Sequence, residues 1–132
     1  MSPRPAVLSI ITADMAAALG FYRRLGLDIP AGSEGEPHVE AALPNGFRLA
    51  WDTVEAVHAY EPDWTAPQGD HRMALAFQCD DPAEVDKVYA DLTAAGHHGH
   101  KEPWDAFWGQ RYAVVHDPDG NPVDLFAPLP TP

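Results

Sequence analysis

The chain has 132 residues, 45% of them hydrophobic and 21% charged. That composition excludes a disordered polypeptide and leaves room for one domain, or for two small units sharing a core. Twenty Asp and Glu against eight Lys and Arg give a formal charge of −12, a field that repels nucleic acid and anionic membrane and favours cationic ligands. The opening five residues hold no apolar core, and no stretch approaches the ~18 apolar residues of a spanning helix. A cytoplasmic protein is expected. The single Cys79 cannot pair within the chain and sits in an apolar run, so it reads as a buried thiol.

In chain order, Val7 to Ile11 form an apolar strand, and Asp14 opens a helix with Ala18, Leu19, Tyr22 and Leu25 on one face. Gly26 ends that helix, and a short strand is expected near Leu27–Ile29. Residues 38–43 and 47–52 flank Pro44-Asn45-Gly46 as a hairpin. Residues 53–72 are polar and contain prolines, long enough for a linker or a lid. A second apolar strand covers Ala74–Gln78. Asp81 then suits a helix N-cap, Pro82 the first helical position, and Glu84 closes a capping box. Val85, Val88, Tyr89 and Leu92 make one apolar stripe, which Gly96 stops. A short strand is expected near His97–Lys101, followed by strands at 110–116 and 121–126 around Asp117-Pro118-Asp119-Gly120. Residues 128–132 read as a frayed tail.

A shift of 67 positions lays Leu8 on Leu75, Ile10 on Phe77, Asp14 on Asp81, Tyr22 on Tyr89 and Leu25 on Leu92. Each half therefore reads as βαβββ, with module one at about 5–52 and module two at about 73–127 of a single α+β domain, 1–132.

Asp14, Ala16 to Tyr22 and Leu25-Gly26-Leu27 resemble the opening of vicinal-oxygen-chelate proteins, the superfamily of glyoxalase I, extradiol dioxygenases and bleomycin-resistance proteins. Phe107 to Tyr112, Asp117 to Asn121 and Val123 to Phe126 resemble its closing signature. The resemblance implies two βαβββ modules forming a curved open barrel with an internal cleft. It also implies a homodimer whose modules complete each other's clefts. Many members hold a divalent metal with four side chains from the first and last strands of the modules. The matching positions here are Val7, Ala74, Ala50 and Asp124, three of them alkyl groups that cannot ligate a metal. No metal or other cofactor is expected. The histidines do not replace the missing ligands on this reading. His97, His98 and His100 alternate faces if in a strand, His71 has the wrong parity, and His116 abuts a turn.

Strand alternation sorts the cleft residues if Val7 and Ala74 face inward. Ser9, Asp52, Gln78, Gln110, Tyr112, Asp124 and Phe126 then share the cleft, while Trp51 covers the core. Trp108 matches the place where bleomycin-resistance proteins stack a Trp on their drug, and Trp104 lies close by in sequence. The expected role is a small-molecule binding protein that sequesters a hydrophobic aromatic natural product, cationic compounds included, as in antibiotic resistance. The alternative is a glyoxalase-like lyase or isomerase, or a dioxygenase, with a non-standard metal site, or acid–base chemistry at Asp124. No catalytic residue is assigned, and no nucleic acid or membrane is expected as a partner.

Overall fold

In the computed structural model, which describes residues 2–131, the chain divides between Gln68 and Gly69 into two units. Each is a helix laid on one face of a small sheet.

The first unit carries β1 (Val7–Thr12), α1 (Met15–Arg24), β2 (His38–Ala42) and β3 (Arg48–Thr53), in the sheet order β1-β3-β2. Asp14 caps α1, its carboxylate accepting the Ala17 amide at 3.1 Å. Gly26 takes φ +93 just past the helix, a conformation that costs a side chain dearly. Leu19, Phe21 and Tyr22 are fully buried, and Tyr22 meets the equally buried Trp51 of β3 with ring centroids 5.3 Å apart. The Trp51 indole N–H has no hydrogen-bond partner there. Gly46, at φ +84, turns the hairpin between β2 and β3.

The first unit departs from the expected βαβββ order. The strand anticipated near Leu27–Ile29 is absent, so the unit is βαββ. Pro30 has no amide to donate to a ladder, and its carbonyl is taken by the Arg23 guanidinium at 2.8 Å and the Ser33 hydroxyl at 2.7 Å. Ile29 still inserts into the core. The segment beyond β3 also opens with an unanticipated short helix, α2 (Val54–His58), capped by the Thr53 hydroxyl accepting from the Ala56 amide.

The second unit carries β4 (Leu75–Gln78), α3 (Pro82–Ala94), β5 (His98–Ala106), β6 (Gln110–His116) and β7 (Pro122–Pro128), in the sheet order β4-β7-β6-β5. It is the expected βαβββ module. Asp81 caps α3 by accepting the Glu84 amide, and Glu84 reaches back to the Asp80 amide, both at 2.8 Å. Val85 and Leu92 of α3 pack on the face of the sheet that carries Ala113, Val115, Val123 and Leu125, all fully buried. Each such Leu or Val contributes about 1.5–3 kcal/mol. Asp117 shapes the β6–β7 turn by accepting from the Asp119 and Asn121 amides and the Asn121 side chain. The tail begins later than expected, because Pro128 pairs with Gln110 and the Leu129 amide donates to Gly109. Pro132 lies outside the described residues. No helix among the described residues is long and apolar enough to cross a membrane.

Candidate functional site

The face of the second sheet opposite α3 is built by strand alternation. Along β6 it presents Gln110, Tyr112, Val114 and His116. Along β7 it presents Asp124 and Phe126, the partners of Val114 and Tyr112. Gln78 of β4 pairs with Phe126, and Trp104 of β5 pairs with Tyr112. Four aromatic rings meet here. Trp104 and Trp108 lie edge to face at 6.0 Å, and both meet Tyr112 edge to face, at 5.6 and 5.3 Å. Tyr112 is stacked against Phe126 at 6.3 Å. Trp108 sits at the turn between β5 and β6, about half exposed, and its indole N–H donates to the Gln110 side-chain oxygen at 2.8 Å. Beside it Phe107 is 97% exposed.

The one carboxylate among these rings belongs to Asp124, which accepts the Tyr112 hydroxyl at 2.5 Å. Burial pushes the Tyr112 phenol up to about 12, with the hydrogen bond to Asp124 and its negative charge adding to the shift. The phenol therefore stays a donor through the neutral range, and Asp124 keeps acceptor capacity for a second partner. Lys101 places its ammonium over the Trp104 ring, 4.8 Å from the centroid. Sequence reading passed over Lys101, because its approach depends on the irregular register of β5 between Lys101 and Trp104.

Seven of the nine expected site residues thus share one sheet face of the second unit: Gln78, Trp104, Trp108, Gln110, Tyr112, Asp124 and Phe126. Ser9 and Asp52 belong to the first unit, on the sheet face turned away from α1. Ser9 is exposed, while Asp52 is tied up by its neighbours. His38 bridges Asp52 and Glu40, and Glu40 also holds Arg48 at 2.9 Å. The hydrogen bond to Asp52, then that to Glu40, raises the His38 imidazole above its ordinary value. A cavity of about 650 Å³ lies in the same unit between residues 2–6 and the turn at 45–47, and none of the expected site residues lines it.

Registers in the two sheets test the metal positions that the resemblance implies. Ser9 pairs with Ala50 as its repeat mate Ala76 pairs with Asp124, so Ala50 is the counterpart of Asp124. Val7, Ala50 and Ala74 offer only alkyl groups, and the Asp124 carboxylate already takes the Tyr112 proton donor. This donor set does not suit a divalent metal.

The histidines behave differently from expectation. His98 and His100 stand on the same face of β5, two residues apart, and His98 pairs directly with His116 of β6. His100 stacks on His116 with centroids 4.5 Å apart, and His71 approaches His116 at 6.4 Å. Burial first, then the neighbouring histidines, holds His116 below the usual histidine value. The His-Gly-His spacing carried this signal, which strand parity applied to His97, His98 and His100 together obscured. Cys79 is buried as expected, and burial pushes its thiol up to about 11, so little thiolate forms near neutrality.

The sequence profile of the Glyoxalase/Bleomycin resistance protein/Dioxygenase superfamily matches residues 4–125. No curated protein matches the chain significantly. Similar folds occur among solved structures. A glyoxalase/bleomycin resistance protein/dioxygenase family enzyme from Burkholderia phytofirmans PsJN is 20% identical, covering 96% of this chain and 100% of its own at a TM-score of 0.82. A glyoxalase/bleomycin resistance protein/dioxygenase from Nocardioides is 24% identical over 100% of this chain and 87% of its own, TM-score 0.73. A glyoxalase-related enzyme from Fulvimarina pelagi is 23% identical over 94% and 87%, TM-score 0.78. With both sequence signatures, the repeat and the profile in agreement, the chain belongs to the glyoxalase/bleomycin resistance protein/dioxygenase superfamily.

Proposed function

We propose that this protein binds and sequesters a planar, hydrophobic small molecule that carries a positive charge, without transforming it. The reading rests on one observation: Trp104, Trp108, Tyr112 and Phe126 cluster on a single sheet face around one carboxylate, Asp124. Flat rings stack on aromatic ligands, and a carboxylate among them receives a cation. Lys101 already occupies one face of Trp104, which leaves Asp124 and the half-exposed Trp108 as the anchors for a ligand. The formal charge of −12 attracts the same class of compound.

A cationic polycyclic or glycopeptide antibiotic should quench tryptophan fluorescence on binding at micromolar concentration or below. Trp108→Ala should remove much of the quenching and cost about 1–3 kcal/mol of affinity, the order expected for a stacking anchor. Asp124→Asn should weaken only charged members of a ligand series, and added salt should weaken them further. The compound should be recovered unchanged. Turnover detected by mass spectrometry, and lost in Asp124→Asn, would favour the lyase, isomerase or dioxygenase class instead.

A further inference from the structure

We propose that His98, His100 and His116 form a binding site for a divalent transition metal of the zinc class, separate from the positions at which the superfamily carries its metal. Among the described residues these three make up the one grouping of metal-ligating side chains, each offering a ring nitrogen within 4.8 Å of the other two. Tetrahedral zinc binds imidazole at about 2.0–2.1 Å, which sets ligand nitrogens about 3.4 Å apart. Closing the observed triangle to that size moves each nitrogen inward by about 0.8 Å. Small side-chain rotations supply such a movement, since His98 and His100 are exposed and His116 is only partly covered.

The backbone holds the three rings on one side. Gly99 points toward α3, where a Cβ would stand 2.2 Å from the Tyr89 hydroxyl and 2.9 Å from the Thr93 methyl. The close approach of α3 fixes Gly99 inward, so His98 and His100 both face away from the helix. An irregularity between Gly99 and Lys101 then carries His100 across toward β6, where it stacks on His116.

Ring stacking alone is the plainer account of such a cluster, and the surroundings argue against it. His38 in the first unit is held between two carboxylates, and His58 bonds the Trp64 carbonyl. No described residue hydrogen-bonds a ring nitrogen of His98, His100 or His116. Three imidazoles gathered with their nitrogens together and unclaimed have the donor set of a three-histidine zinc centre, which leaves a fourth position open. Neutral imidazole also suits cobalt, nickel and copper, so the class is set by ligand type and not by one element.

The test uses the untagged, metal-stripped chain, titrated with Co²⁺ and then Zn²⁺. One equivalent of Co²⁺ should develop visible d–d absorption, and Zn²⁺ should displace it at equal stoichiometry. His98→Ala and His100→Ala should each weaken binding by about tenfold or more, since each removes a ligand. Asp124→Asn and His38→Ala should leave it unchanged. X-ray absorption at the zinc edge of the wild-type protein should count three imidazoles, a readout that needs no variant to fold. Absence of one-to-one binding at micromolar metal, fewer than three imidazoles, or full affinity in both histidine variants would overturn the proposal. None of these outcomes bears on ligand stacking at Trp108, so the two readings stand or fall apart.

Discussion

Tyr112 donates to Asp124 within a ring cluster, and that bond has a measurable signature in the alkaline range. The phenol is raised from 10.0 to about 12, first by burial and then by the carboxylate. A group whose folded value is raised stabilises the fold below its unfolded value, and that contribution fades as pH climbs through the folded one. Stability should therefore fall between about pH 10 and pH 12 as the phenol ionises. An ultraviolet titration of Asp124→Asn should show one tyrosine ionising at lower pH than in wild type, though not fully restored, because burial remains. An unchanged titration would remove Asp124 from the account. Much of this face was legible in the sequence, because Gln110, Tyr112, Asp124 and Phe126 follow plain alternation along regular strands. Lys101 and His100 were not, because their positions depend on shifts of register within β5 that strand parity does not show.

Helix termini were the most legible elements. Asp14 and Asp81 each cap a helix, and Glu84 folds back on the same turn as Asp81. Asp81→Ala should lower stability by about 1 kcal/mol, within the 0.5–2 kcal/mol range of lost caps, read as a lower midpoint in urea with unchanged slope. A destabilisation well beyond that range would mean that Asp81 does more than cap. The anticipated strand at Leu27–Ile29 failed for a local reason. Apolar residues suggested a strand, but Pro30 withholds a donor and Arg23 claims its carbonyl, a side-chain contact that the apolar pattern does not show. Helix α2 escaped notice because five residues are too few to show a helical period.

On the scale of the whole molecule, the repeat was legible because both modules open with a strand and an Asp-capped helix and end with an antiparallel strand pair. Leu8 and Leu75 lie one repeat apart, and each belongs to the strand that pairs in parallel with the last strand of its own unit. The superfamily follows from that order together with the profile over residues 4–125. A two-fold homodimer is proposed on the same footing, because each helix-covered sheet leaves its other face to be closed by something. Light scattering at micromolar concentration should return twice the 14.4 kDa chain mass. A monomer would require that closure to come from within one chain. The particular ligand was not legible at any scale, since members of one fold graft different pockets onto it.

The parallel pairings of β1 with β3 and β4 with β7 have a consequence for how the chain assembles. Strands β5, β6 and β7 join through short turns, whereas β1 pairs with residues 41 positions further on and β4 with residues 48 positions further on. Loop closure that long delays docking, so the antiparallel ribbons should form early and the opening strand of each sheet should lock in last. With four residues bonded to β7 alone, β4 should also be the first strand to detach from the second sheet. Amide exchange in the folded protein should then be faster at β4 than at β6 and β7. A chain still being synthesised would leave β1 unpaired until β3 had emerged, a strand free in the meantime to find the wrong edge.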